Sequence, residues 1–375
     1  MSPLDRQSAE RSVDATLIAP ARAAPVRVHA VATAFPPHRF DQRDIAAKAA
    51  AVFGHRPGLM DRMMRTYDNA GVRARYSCVP LDWYEADHGW AERMRLFEDN
   101  ALALLTEAGG KALAAAGVPA ADVAATVTVC STGIATPCLD SLLQGPLGLS
   151  PTVQRLPIFG LGCAGGVIGL ARAAALARAM PGAWVLFLCT ELCGLTFRRS
   201  DDSKANIIGT TIFGDGAAAL LLRAAPTGCD RAGRAAVLGW GEHTWPGTRD
   251  VMGWRIEDDG LGVVFSPQIP AIVRSHVGPA SDAFLASHGL VRADLAGYIV
   301  HPGGEKVIAA LEDVYEVPAG GLTDARAVLA DYGNMSAVTV LAVLERTLAR
   351  GARGRHLMSA LGPGFSAGFC LLDLG

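Results

Sequence analysis

The chain has 375 residues, half of them hydrophobic and 19% charged, with 34 Lys and Arg against 36 Asp and Glu for a formal charge of −2. A chain of that length builds a sizeable core, as one large fold or as two intimate halves. Its near-neutral balance argues against nucleic acid as a main partner, which calls for a basic excess. No run reaches the roughly 20 apolar residues of a membrane-spanning helix.

Residues 1–24 scatter Asp, Arg and Glu with no apolar core and read as a loose leader, not a secretory signal. Beyond it, short apolar strands alternate with Ala-rich helical stretches, the pattern of an α/β protein with buried sheets. In chain order the spacing predicts a strand over Val26–Ala32 and helices over Asp41–Val52, Pro57–Ala70 and Trp90–Ala116. A strand over Ala125–Cys130, a helix over Ala164–Ala179 and strands over Trp184–Cys189, Ala217–Leu222 and Ala235–Trp240 follow. The last third reads as helix Ile269–His288, strand Gly297–Val300, helices Gly304–Tyr315 and Ser336–Arg350, and strands His356–Ala360 and Gly368–Leu372.

Two glycine turns, Phe213-Gly-Asp-Gly216 and Leu361-Gly-Pro-Gly364, each feed a late apolar strand, which suggests duplication. The polar stretch Ala224–Arg234 is the candidate join, dividing the chain into an N-terminal half, 25–230, and a C-terminal half, 231–375. The eight cysteines lack zinc-ligand spacing. With no export signal they are expected to be reduced thiols in the cytoplasm, most of them small buried hydrophobes.

Cys163 is the exception. An apolar strand ends in glycines, the cysteine follows, and an Ala/Leu-rich helix begins at once. A thiol there faces the positive end of a helix dipole, which lowers its pKa and favours the nucleophilic thiolate. The alternative is an inert cysteine at a tight turn. His301 follows a strand and precedes Pro302-Gly-Gly304; it reads as a hydrogen-bond donor or thiolate partner, or as a structural histidine. Asn334, in Asp331-Tyr-Gly-Asn-Met-Ser336, reads alone as a helix N-cap. Each of the three sits at a helix start after an apolar segment, and α/β sheets gather such ends around one site. Together they suit carbon–carbon bond formation: a thiolate takes an acyl group, and His and Asn N–H groups stabilise the enolate left when a malonyl thioester loses CO₂.

The ordered pieces Ser131-Thr-Gly-Ile-Ala-Thr-Pro137, Gly162-Cys-Ala-Gly-Gly166, Glu191 to Arg198, Phe213-Gly-Asp-Gly-Ala-Ala218, His301-Pro-Gly-Gly304, Gly333-Asn-Met-Ser336 and Gly362-Pro-Gly364 carry a resemblance. Over residues 25–375 the chain resembles the chalcone synthase-like type III polyketide synthases of the thiolase superfamily. The resemblance implies a five-layered αβαβα fold with two similar halves, a homodimer, acyl-CoA and malonyl-CoA as substrates, and no cofactor. It implies that Cys163 carries the acyl group, that His301 and Asn334 activate malonyl-CoA, and that Phe213 is the gatekeeper between CoA tunnel and cavity. It also places Ser131, Cys193, Thr196, Gly253 and Ser336 on the cavity wall and Arg62, Arg65 and Lys306 near the CoA.

Plant members have Gly-Phe-Gly-Pro-Gly where this chain has Ala360-Leu-Gly-Pro-Gly364, and Met-Pro where it has Thr136-Pro137. In Ser131-Thr-Gly-Ile-Ala-Thr-Pro137 and Glu242-His-Thr-Trp-Pro246 it is more similar to bacterial alkylresorcinol and alkylpyrone synthases, which implies a medium or long fatty acyl starter. Three alternatives stand beside that reading. A ketoacyl synthase of the fatty-acid initiating type usually carries Gln-Ala-Asn after the histidine. A phloroglucinol-type synthase uses malonyl-CoA only. A non-catalytic acyl-CoA-binding relative would have lost one of the three residues.

Overall fold

The computed structural model describes residues 25–54, 57–225 and 233–375. The leader, Cys229 with most of the join, and the side chain of Arg62 lie outside the described residues. The strands are β1 (Val26–Ala34), β2 (His38–Asp41), β3 (Ala74–Ser77), β4 (Val123–Cys130), β5 (Gln154–Phe159), β6 (Trp184–Leu192) and β7 (Asp215–Ala224). They continue as β8 (Ala235–Thr244), β9 (Met252–Glu257), β10 (Gly260–Phe265), β11 (Gly297–Val300), β12 (Gly354–Gly362) and β13 (Ser366–Leu374).

Nine of them form one sheet in the order β11-β12-β13-β8-β1-β7-β6-β4-β5. From β1 outward, the pairings with β7, β6 and β4 are antiparallel, antiparallel and parallel. From β8 outward, the pairings with β13, β12 and β11 repeat that series. The halves are thus copies of one topology, and the two glycine turns feed the matched strands β7 and β13. They join where Val26–Val28 pair with Ala235–Val237.

The helices Gly165–Ala179 and Ala337–Ala349 touch each other and strands of both halves, and both are buried nearly all round, as a central layer requires. Their approach is close: a Cβ on Gly166 would lie 2.3 Å from the Ala337 carbonyl oxygen. Helix Trp90–Ala116 covers the outer face of β1, β6 and β7. On the other side Phe284 stacks on Phe369 of β13 and Tyr315 on Tyr298 of β11, so helices Gly278–Ser287 and Glu305–Tyr315 form the outer layer. With each half of the continuous sheet counted as one layer, helix, sheet, helix, sheet, helix make five.

Several elements depart from the sequence-based expectation. The antiparallel pair β2–β3, the hairpin β9–β10 and the helices Lys204–Ile212 and Thr323–Tyr332 were not anticipated. The predicted helix Ile269–His288 is interrupted by a π turn over Val273–Val277, immediately before Gly278-Pro279. Pro279 has no N–H for the preceding turn, so the helix widens there. No described helix is long and apolar enough to cross a membrane.

Candidate active site

β5 ends at Phe159, a short turn over Gly162–Ala164 carries Cys163, and the helix Gly165–Ala179 begins directly after it. The half-buried thiol borders two small cavities. One, about 450 Å³, is shared with His301, Gly303, Asn334 and apolar side chains including Met252, Phe265 and Leu311. The other, about 400 Å³, is shared with Phe213, Gly253, Trp254 and Ser336. The topology brings Cys163 onto one cavity with a His and an Asn that lie more than a hundred residues further along the sequence.

His301 leaves the end of β11 with its backbone N–H donating to Ser359 O at 2.9 Å. Its ring is buried and neither ring nitrogen has a hydrogen-bond partner. Burial pulls the imidazole down to about 3, so it is neutral at neutral pH and presents one N–H donor.

Asn334 is held by four hydrogen bonds. Its N–H donates to Ile212 O at 2.7 Å, and its carbonyl accepts from Gly214 N–H at 3.0 Å, a bridge that ties it to Phe213. Its Oδ1 accepts from Ser336 N–H at 2.8 Å, and its Nδ2 donates to Gly303 O at 3.2 Å. The capping expectation is therefore partly met, because Oδ1 does take a backbone N–H at the helix start. The same contact fixes the amide, leaving the second Nδ2–H to face the cavity. Ser336 sits at φ 48°, a left-handed conformation that costs a non-glycine residue roughly 1–3 kcal/mol and clusters at functional sites.

One expectation is overturned. Burial pushes the Cys163 thiol up to about 12, opposed in part by a hydrogen bond from Ser336, whereas the helix dipole was expected to lower it. Desolvation is the largest influence on the thiol, as expected of a sulfur in apolar surroundings. Thiol and imidazole therefore shift in opposite directions on one cavity wall.

Glu191 was not singled out as an acid. It lies fully buried near the end of β6, where burial pushes its carboxyl up to about 7 against opposing hydrogen bonds. Ser131 N–H and Oγ donate at 3.0 and 2.7 Å, Thr132 Oγ1 at 2.9 Å and Ser336 Oγ at 3.3 Å. An acid within an otherwise apolar strand was the signal available in the sequence.

A raised carboxyl makes folding less favourable as pH climbs from its ordinary 4.5 to about 7, by ~3 kcal/mol if nothing relaxes. His301, pulled down, acts with the opposite slope below its ordinary 6.5. The difference between wild type and Glu191→Gln isolates the carboxyl. Denaturant melts are expected to show wild type losing stability relative to the variant between pH 5 and 8; parallel curves would mean that folding leaves the Glu191 carboxyl at its ordinary value.

Ser131 is fully buried and engaged with Glu191. Gly253, in β9, lines the cavity of about 400 Å³. Cys193 and Thr196 line a third, larger cleft of about 700 Å³ with Phe40, Ile45, Val52 and Phe53. Phe213 and Val263 border both this cleft and the Cys163 side. Arg65 is exposed on helix Pro57–Asp68, and Lys306 is exposed at the start of helix Glu305–Tyr315.

Two matched α/β halves with Cys, His and Asn meeting on one cavity define a condensing enzyme of the thiolase fold. Residues 15–226 match the N-terminal domain of the chalcone and stilbene synthases, and residues 241–372 match their C-terminal domain. The chain is 41% identical over 352 residues to a 1,3,6,8-tetrahydroxynaphthalene synthase of Streptomyces peucetius subsp. caesius, covering 92% of each. It is 28% identical to the alpha-pyrone synthesis polyketide synthase-like Pks18 of Mycobacterium tuberculosis, covering 92% of this chain and 91% of that one. The crystal structure of 1,3,6,8-tetrahydroxynaphthalene synthase from Streptomyces coelicolor A3(2), a bacterial type III polyketide synthase, superposes with a TM-score of 0.87. It is 27% identical and covers 93% of this chain and 99% of that one. The chain belongs to the chalcone and stilbene synthase family, and it is a condensing acyltransferase of the type III polyketide synthase class.

Proposed function

We propose that the protein condenses a fatty acyl-CoA starter with several malonyl-CoA extenders, giving alkylpyrone- or alkylresorcinol-type products. The observation that carries the chemistry is the single cavity on which Cys163 meets an unpartnered neutral imidazole and an oriented amide. Cys163 sulfur attacks the starter carbonyl, and CoA leaves as its thiol. Malonyl-CoA then binds with its thioester oxygen toward His301 N–H and Asn334 Nδ2–H. Its carboxylate departs as CO₂, and the bonding pair becomes an enolate whose oxygen those two donors stabilise. The enolate carbon attacks the acyl carbonyl on Cys163, and the sulfur leaves. Decarboxylation makes the carbanion, so no base has to remove a carbon-bound proton.

The apolar cleft of about 700 Å³ beside Phe213 supports the starter assignment, because an alkyl tail gains roughly 0.8 kcal/mol per buried CH₂. Phe213 is the gatekeeper in this reading, Cys193, Thr196, Gly253 and Ser336 shape the space around the chain, and Arg65 and Lys306 are the described CoA contacts. The seven described cysteines are free thiols, in keeping with work in the cytoplasm. A homodimer is supported by the edge strand β5, which exposes Leu156 and Phe159, with Ile134, just past the end of the paired strand β4, also exposed.

A second reading uses malonyl-CoA alone. It is favoured by the 41% identical relative, whose named product is a naphthalene with four hydroxyls and no alkyl substituent. Purified protein incubated with malonyl-CoA and a panel of acyl-CoA starters, with products read by mass, separates the two. Products whose mass rises by 28 for each two-carbon lengthening of the starter are expected. One starter-independent product would establish the second reading, and reaction only with malonyl carried on acyl carrier protein would overturn both.

A further inference from the structure

Arg75, on β3, is 5% exposed and carries an unusually concentrated set of contacts. Its Nη1 donates to Thr210 O at 2.8 Å and to Phe213 O at 2.9 Å. Its Nη2 donates to Thr211 O at 2.8 Å and to Gln42 Oε1. Gln42 Nε2 in turn donates to Thr211 O at 3.0 Å. These carbonyls belong to the last turn of helix Lys204–Ile212 and to the residue that ends it, groups the helix itself cannot satisfy. A cation also complements the negative end of that helix.

Burial draws the guanidinium down to about 10, so it remains charged at neutral pH. The stem matters as well. A Cβ on Gly214 would lie 3.3 Å from Arg75 Cβ, and one on Gly333 would lie 3.4 Å from it. Arg75 thus packs against the immediate neighbours of both Phe213 and Asn334, whose backbones are bridged. It lines the large cleft and neither of the Cys163 cavities.

We propose that Arg75 is a positioning residue: by holding the carbonyls of Thr210, Thr211 and Phe213 it fixes Phe213 and, through the Phe213–Asn334 bridge, aims the Asn334 amide. The inference rests on the reading of Asn334 as an enolate donor. A shift of about 1 Å in a reacting geometry costs up to about a hundredfold, so the effect falls on malonyl chemistry.

The test measures two half-reactions in Arg75→Met and Arg75→Lys. Intact-protein mass follows acyl loading of Cys163, and acetyl-CoA release follows malonyl-CoA decarboxylation. Decarboxylation is expected to fall roughly tenfold to a hundredfold in Arg75→Met, with a smaller loss in loading and partial recovery in Arg75→Lys. In an Asn334→Ala background the further loss from Arg75→Met is expected to shrink to within about threefold, because both changes remove one aligned donor. Equal losses in loading and decarboxylation, or full additivity with Asn334→Ala, would overturn the inference. Unchanged decarboxylation in Asn334→Ala alone would instead overturn the reading of Asn334 on which it rests. Should Arg75→Met fail to fold, Gln42→Leu removes one support from the guanidinium and is expected to lower decarboxylation in the same direction; an unaltered ratio there would count against the proposal.

Discussion

Cys163→Ala is expected to abolish covalent loading of the starter and to lower chain extension by on the order of 10⁴-fold or more. Among the described residues, alanine removes the only thiol bordering the cavity that also holds His301 and Asn334. The other members of that cavity are tied down independently of it. His301 is set by its N–H to Ser359, and the Asn334 amide by Ser336 and Gly303. Malonyl-CoA decarboxylation should therefore continue in the variant, releasing acetyl-CoA without building a chain. Intact-protein mass after incubation with an acyl-CoA reads the first effect, and acetyl-CoA formation reads the second. An acyl adduct of undiminished occupancy in Cys163→Ala would remove Cys163 from the role. Loss of decarboxylation together with loading, in a protein that still melts cooperatively, would mean that the sulfur also organises the malonyl site.

The sequence exposed the parts of this fold that depend on local period. Trp90–Ala116 and Gly297–Val300 have the observed ends because apolar spacing and flanking glycines set them. The pair β2–β3 and the hairpin β9–β10 were hidden because strands such as His38–Asp41 are short and mixed in polarity, and β2 meets its partner only across two intervening helices. Duplication was visible only as an echo of two glycine turns; the repeated pairing of β1-β7-β6-β4 and β8-β13-β12-β11 needed the sheet. At the site, Cys163, His301 and Asn334 could be named because each stands at a helix start, where chemistry and local geometry coincide. The thiol's upward shift and the Glu191 network depend on what surrounds a side chain in three dimensions, and the sequence misjudged the first and passed over the second. Arg75 lay hidden for a related reason, since its four partners are all backbone or amide oxygens that leave no charge pattern to read.

Asn334→Ala is expected to cut malonyl-CoA decarboxylation roughly a hundredfold, the loss typical of one donor aimed at a developing oxyanion, or about 3 kcal/mol. Starter loading should fall much less, since the amide does not touch the bond that forms between sulfur and acyl carbon. Asn334→Asp separates donor chemistry from shape. A carboxylate there still accepts the Ser336 N–H, but its second oxygen confronts Gly303 O at the 3.2 Å now bridged by a hydrogen bond, and it offers the enolate a negative charge. The aspartate variant is therefore expected to be slower than the alanine variant in neutral buffer and to recover as pH falls and the carboxyl takes up a proton. If alanine and aspartate instead both keep full decarboxylation, Asn334 acts through the backbone bridge to Phe213 and not through its amide. The neutral His301 would then be the sole side-chain donor to the enolate, and removing its N–H should eliminate whatever decarboxylation remains.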